Sequence, residues 1–174
     1  FVGIDNYMPL SDWRDGEDHI DFGYGSIYNP EYLFDNIEGG EGFDWFYVDD
    51  DARSAQERST ITDGAHNEPW VWRYKDIRNW WNNTHYERLG GVRKATPTDW
   101  QPRGKPIWFT ELGCASIDKG TNQPNKFLDP KSSESRLPFF SSGTRDDLIQ
   151  HQYLEVMYRY WSLPENNPTS EVYN

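Results

Sequence analysis

The chain has few of the residues that build cross-links, metal sites and membrane spans. It contains a single cysteine, Cys114, among 174 residues, so no intrachain disulfide and no cysteine-based metal cage can form. The four histidines show no metal-ligand spacing, and there is no phosphate-binding glycine loop or dinucleotide fingerprint. No apolar run approaches the ~20 residues that span a bilayer. We therefore expect no metal, no other cofactor and no membrane insertion.

Basic residues are also scarce. There are 17 Lys and Arg against 29 Asp and Glu, which gives a formal net charge of -12. Nucleic acids and anionic membrane surfaces repel an acidic protein, so neither is expected as the main partner. Aromatic residues, in contrast, make up 17% of the chain. Aromatic rings suit both packed cores and sugar-binding clefts, and composition alone leaves these two interpretations open.

Apolar runs predict two buried strands, at 1–7 and at 105–113. Helices are predicted from Asn29-Pro30, over the aromatic stripe at 70–88, and from Thr144 to Leu163. A short strand or loop anchor is predicted at 43–48. The acidic run 49–51 is predicted to form a solvated turn. Residues 115–143 are predicted to form a long loop that is either functional or disordered.

Strands that alternate with helices favour parallel βαβ units, and hence an α/β fold. A complete (β/α)₈ barrel takes about 250 residues, whereas this chain has 174 and two convincing strands. Either further strands escape prediction or the rest of a barrel lies outside the chain. The chain opens on a strand without an initiator Met, which also predicts a piece of a longer protein.

Glu111 comes at the end of the second strand, before a long polar loop. Barrel strands carry catalytic groups at this end, and a carboxylate here can attack an anomeric carbon. Asn6 and Tyr7 end the first strand in the same way, and Tyr7 could donate a hydrogen bond to a carboxylate on the neighbouring strand. The alternatives are a structural ion pair for Glu111 and an ordinary turn for Asn6 and Tyr7.

Four residues are candidates for sugar binding, and Asn6 at the end of the first strand is one of them. Trp13 and Arg14 lie in the polar loop after the first strand, and Trp108 lies on the strand that leads to Glu111. Glu68 is an alternative proton donor, because Asn-Glu-Pro carries the general acid in many retaining glycosidases. No strand precedes Glu68, however, and the start of a helix is the favoured interpretation.

Four segments together resemble a known family: Val2–Pro9, Trp70–Asp76, Lys105–Gly113 and Asp129–Ser135. They are similar to the TIM-barrel-like domain of gene transfer agent and phage tail-tip proteins, and the match runs over most of the chain. That barrel in turn resembles the clan-A glycoside hydrolases. The resemblance implies a partial TIM (β/α)₈-barrel, from about strand 6 to helix 7, with 1–174 as one domain.

The resemblance also implies roles for residues. Glu111 matches the nucleophile and Tyr7 the tyrosine that supports it, while the general acid would lie upstream of Phe1 and the eighth strand beyond Asn174. The Asn-Glu-Pro match at Glu68 would then be coincidental.

The expected function is retaining hydrolysis of cell-envelope polysaccharide or peptidoglycan, at a tail tip and beside other tail or baseplate proteins. The alternative is a catalytically inactive barrel that binds carbohydrate or a receptor, or that has a structural role. A third possibility is that the piece has no activity alone, because half a barrel leaves open sheet edges.

Overall fold

The computed structural model describes residues 1–167 and shows a mixed α/β protein. The strands are β1 (Val2–Asn6), β2 (Trp45–Phe46), β3 (Ser59–Thr60), β4 (Arg88–Leu89), β5 (Val92–Arg93) and β6 (Ile107–Leu112). The helices are α1 (Pro30–Asp35), α2 (Asp50–Ala55), α3 (Ile77–Asn82) and α4 (Asp147–Ser162).

The two predicted strands pair with each other. β1 and β6 are hydrogen-bonded in parallel, with Val2 opposite Ile107 and Asn6 opposite Leu112. The remaining strands form the short antiparallel pairs β2–β3 and β4–β5. Within residues 1–167 no other strand extends the β1–β6 sheet, so the described part of the chain forms no closed barrel. Two adjacent parallel strands joined by a long crossover are consistent with part of one.

The core lies between α4 and α1. The helix predicted from Thr144 to Leu163 is confirmed as α4, and its side chains at three- and four-residue intervals are buried: Ile149, Tyr153, Val156, Met157 and Tyr160. They pack against buried residues of α1 such as Tyr32 and Leu33. Each fully buried apolar side chain of this size contributes about 1.5–3 kcal/mol.

Two local predictions were wrong. The segment 70–88 is no continuous helix, because it contains a 3₁₀ turn at Pro69–Val71, the six-residue α3 and then β4. Its aromatic spacing reflects packing of rings from several short elements.

The acidic run 49–51 begins α2 instead of forming a turn. The Asp49 side chain accepts a hydrogen bond from the Ala52 amide, and the following acidic residues favour a helix N-terminus.

A buried lysine joins three segments. Lys75 is 1% exposed, and its ammonium group donates to the carbonyl oxygens of Pro9 (2.6 Å) and Gly39 (2.7 Å) and to that of Asn36. These carbonyls lie just after β1 and beyond the end of α1. The lysine therefore fixes the chain that leaves β1 against the chain that leaves α1.

The long loop is fixed by Asn122, which is 3% exposed. Its side-chain oxygen accepts from Ser11 Oγ (2.5 Å) and from the Trp13 amide (3.0 Å). Its side-chain nitrogen donates to the carbonyls of Trp13 (2.9 Å) and Phe139 (3.0 Å). One side chain thus holds both ends of the loop against the segment that follows β1.

Candidate functional site

A bulge in β6 directs Glu111 to the exposed face of the sheet. Ile4 pairs with Phe109, but the next residue, Asp5, pairs with Glu111, so Thr110 is the extra residue on β6. Alternation would place Thr110 and Glu111 on opposite faces, yet both are exposed. Bulges turn side chains in this way and are common beside active sites. The result is a carboxylate at the C-terminal end of a parallel strand, open to solvent.

Tyr7 holds this carboxylate. Its hydroxyl donates to Glu111 Oε2 at 2.6 Å, across 104 positions of sequence. That hydrogen bond raises the pKa of Tyr7 above its usual value, because an ionised phenol could not donate to a carboxylate. The contact predicted between the ends of the two strands is present. The catalytic role of either residue remains a prediction.

Asp5 and Thr110 stabilise the bulge from the same face. Thr110 Oγ1 donates to Asp5 Oδ1 at 2.6 Å, beside the Asp5–Glu111 pair. Gly3 makes room for Thr110, since a methyl group at Gly3 would lie 3.2 Å from Thr110 Cγ2. Both carboxylates on this face therefore have their own hydroxyl donor.

A cleft of about 250 Å³ opens next to Tyr7. One wall comes from the long loop and the other from the segment between α1 and α3. Its lining residues are mostly polar or aromatic: Tyr7, Pro9, Glu41, Arg53, Tyr74, Asn122, Gln123, Pro124, Asn125 and Phe139.

An ion pair makes one wall of the cleft rigid. The Arg53 guanidinium donates to both oxygens of Glu41, at 2.9 and 2.6 Å. It also lies over the rings of Phe139 (3.9 Å) and Tyr47 (4.6 Å). A planar guanidinium held by a bidentate carboxylate and two rings has little freedom to move.

The predicted sugar-binding residues divide into two groups. Asn6, Trp13 and Arg14 all belong to the framework, and none of them lines the cleft. Asn6 is 1% exposed and accepts a hydrogen bond from the Met8 amide (3.3 Å). Trp13 packs edge-on against His19, with 4.6 Å between ring centroids, and Arg14 binds the carbonyl of Ser54 at 2.8 Å.

Trp108, in contrast, is 56% exposed and stacks on Phe1, with centroids 4.3 Å apart. It lies on the same strand as Glu111 and is open to solvent. The structure therefore brings Tyr7, Glu111 and an exposed Trp108 to the β1–β6 pair, whereas Trp13 and Arg14 contact other parts of the framework. Sugar binding by any of these residues stays a prediction.

The chain matches the family of the GTA TIM-barrel-like domain over residues 1–174. It belongs to that family. No curated protein matches it.

As a GTA TIM-barrel-like domain, the chain is a module of gene transfer agent tail proteins, and its context is the gene transfer agent particle. The parallel pairing of β1 with β6 agrees with two consecutive strands of such a barrel.

Glu68 of the GTA domain is locked in a cluster of arginines. Its carboxylate accepts from Arg93 Nε and Nη2, both at 2.8 Å, and from Arg88 Nη2 at 2.6 Å. The hydrogen bonds from Arg93 are the main cause of a lowered pKa for Glu68. A general acid needs a raised pKa. The arrangement thus fits an ionised structural carboxylate that begins the turn at Pro69–Val71.

Of the ten residues that line the cleft, only Tyr7 was predicted from the sequence as a site residue. The wall opposite the long loop was missed entirely, with Glu41, Arg53 and Tyr74. Glu41 and Arg53 lie in segments that lack a motif, and Tyr74 was assigned to a helical stripe. The only sequence signal near them is the glycine at position 42. Its φ of +82° favours glycine, and the Tyr74 ring packs where a Cβ of residue 42 would lie.

Within residues 1–167 no three His, Cys, Asp or Glu side chains are grouped so as to bind a metal ion. None of the helices described there has the length and apolar character required to cross a membrane.

Proposed function

We propose that this GTA domain supplies the nucleophile half of a retaining glycoside hydrolase site, with Glu111 as nucleophile. The observation that carries the proposal is the solvent-exposed Glu111 carboxylate at the end of a parallel strand, with the Tyr7 hydroxyl 2.6 Å from one oxygen. The proposed substrate is a cell-envelope polysaccharide or peptidoglycan that the particle meets during delivery. Other tail or baseplate proteins are the proposed neighbours.

In the proposed mechanism the Glu111 oxygen attacks the anomeric carbon, and the bond to the leaving sugar breaks with its electron pair. Tyr7 binds Glu111 Oε2, so one orientation of the carboxylate is favoured at the moment of attack. A general acid protonates the leaving oxygen, and water later cleaves the glycosyl ester, so configuration is retained. We propose that the acid lies on a barrel strand outside residues 1–174.

The test is release of reducing ends from purified envelope glycans by the full-length tail protein that contains this domain. We expect release by the wild type and loss of it, by about 10³-fold or more, in Glu111→Gln. Glu57→Gln is the matched control, because Glu57 is exposed and its side chain forms no hydrogen bond or ion pair within residues 1–167. Equal release by wild type and Glu111→Gln contradicts the proposal.

The second candidate is a barrel that binds sugar without cleaving it. This candidate is favoured because two other carboxylates within residues 1–167 are already bound to partners. Glu68 is bound by two arginines, and Asp5 accepts a hydrogen bond from Thr110. Binding of envelope glycan that survives Glu111→Gln, with no reducing ends from either protein, would establish this candidate.

A further inference from the structure

The cleft beside Tyr7 has the size of a single sugar ring. Its volume of about 250 Å³ corresponds to roughly eight water molecules at ~30 Å³ each. Tyr7 lines the cleft and also binds Glu111, so an occupant of the cleft lies next to the proposed nucleophile.

Two groups in the cleft are free to bind a ligand. The Tyr74 ring is 57% exposed, and its inner side lies against Gly42, where a Cβ would come within 2.2 Å of the ring. Asn125 is exposed as well. Within residues 1–167, neither the Tyr74 hydroxyl nor the Asn125 amide makes a hydrogen bond. A fixed aromatic face with nearby free polar groups is suited to an amphipathic ring.

The charges around the cleft disfavour an anion. Arg53 is the one cation among the lining residues, and its two terminal nitrogens bind Glu41. Lys75 is not a lining residue, and its ammonium group donates to backbone carbonyls, one of which belongs to the lining residue Pro9. Glu111 adds negative charge on the side of Tyr7. A carboxylate or phosphate on the ligand would meet repulsion without a free partner.

We propose that this cleft is a subsite for one uncharged hexopyranose, neutral or N-acetylated, which stacks on Tyr74 and hydrogen-bonds to Asn125. The subsite discriminates against uronic acids and phosphorylated sugars. The proposal deepens the proposed function, since the sugar in the cleft would lie beside the bond that Glu111 attacks.

The test is calorimetric titration of Glu111→Gln, which prevents turnover, with cellotetraose, chitotetraose and tetragalacturonate. At least one of the two neutral oligosaccharides is expected to bind about tenfold more tightly than the acidic one. Tyr74→Ala should weaken that binding about tenfold, while Tyr158→Ala, at a remote and 78% exposed ring of α4, should leave it unchanged.

Asn125→Asp is a second test that does not depend on correct folding of Tyr74→Ala. Because Asn125 is exposed, the substitution should leave the fold intact, and the new charge should weaken binding of the neutral sugar. Equal or tighter binding of tetragalacturonate, binding unaffected by both substitutions, or no binding of any oligosaccharide overturns the proposal. These outcomes are separate from the proposed hydrolysis, which is measured by reducing ends and depends on Glu111.

Discussion

The contact between Tyr7 and Glu111 is the residue-level feature from which the chemistry follows. The phenol is neutral while it donates, and the carboxylate beside it raises the pKa of Tyr7. Because the folded-state pKa lies above the unfolded one, this hydrogen bond stabilises the fold fully below about pH 10 and is lost as pH rises through the raised pKa.

Replacing Glu111 by Gln should therefore lower the pKa of Tyr7 towards the ordinary value of about 10. The measurement is a pH titration of ¹³Cζ-labelled tyrosines by NMR, with Tyr7→Phe to assign the signal. Glu57→Gln should leave the Tyr7 titration unchanged. An identical Tyr7 pKa in wild type and Glu111→Gln would show that the hydrogen bond is absent in solution.

Lys75 has the largest expected effect on stability among the single residues of the framework. Lys75→Met leaves three carbonyl oxygens in the interior without their donor. We expect a loss of about 3 kcal/mol or more in the free energy of unfolding. Urea denaturation measures it, with Lys94→Met as the control at an exposed lysine. A loss below ~1 kcal/mol would contradict the role assigned to Lys75.

At this scale the sequence predicted the Tyr7–Glu111 contact, because strand ends and polar residue types are local signals. It did not predict the contacts that Trp13 and Arg14 make in the folded chain. Arg14 binds carbonyls about 40 positions away, and such partners are determined by tertiary structure, which no local pattern reveals. Lys75 was missed for the same reason, since lysine is almost never fully buried.

At the scale of elements, the bulge in β6 is the device that exposes Glu111. Thr110→Val keeps the shape of the side chain but removes its hydrogen bond to Asp5. We expect a loss of about 1 kcal/mol in stability and a Tyr7 pKa closer to 10, because Glu111 is then less firmly oriented. Denaturation measures the loss of stability, and the tyrosine titration measures the change in the pKa of Tyr7.

The control for this substitution is Thr60→Val, at an exposed threonine of β3. It should change neither stability nor the Tyr7 titration by a measurable amount. A Thr110→Val protein with an unchanged Tyr7 pKa would mean that the bulge holds Glu111 without the Asp5 contact.

The bounds of β1, β6 and α4 and the start of α1 were close to prediction, since their apolar patterns are long or have clear caps. The bulge was not predictable, because nothing in Ile107–Leu112 marks one residue as extra. The segment 70–88 misled prediction because its rings recur at helical spacing while they pack on different short elements. The helix N-cap at Asp49 was not predicted, because the acidic run 49–51 was interpreted as a solvated turn.

At the scale of the whole molecule, Asn122 is a main contact that holds the long loop in place as a wall of the cleft. Asn122→Ala removes four hydrogen bonds at a buried position. We expect a loss of about 2 kcal/mol or more and faster tryptic cleavage in the loop. Limited proteolysis followed by mass spectrometry would locate the cuts, which are expected at Lys126, Lys131 and Arg136.

Asn125→Ala is the control, because that neighbouring side chain is exposed and forms no hydrogen bond within residues 1–167. Its cleavage rate should equal that of the wild type. If Asn122→Ala is cleaved no faster than Asn125→Ala, the loop is held by other contacts, such as the one between Phe139 and Arg53.

The overall architecture was predicted in part. Two parallel strands and the helices beside them followed from apolar patterns, and the likeness to tail proteins supplied their place in a barrel. The cleft could not be predicted, since its walls come from loops that meet only in the folded chain.

The role of Glu111 is tested most directly by trapping a covalent intermediate. Dinitrophenyl 2-deoxy-2-fluoroglycosides carry a leaving group that departs without protonation, so the nucleophile alone is required. Incubation of the protein with gluco-, galacto- and manno-configured reagents, followed by peptide mass spectrometry, should find a glycosyl ester on Glu111 and none in Glu111→Gln. An ester on another carboxylate such as Asp5 or Glu41, or no ester on a protein that does release reducing ends, would contradict the account.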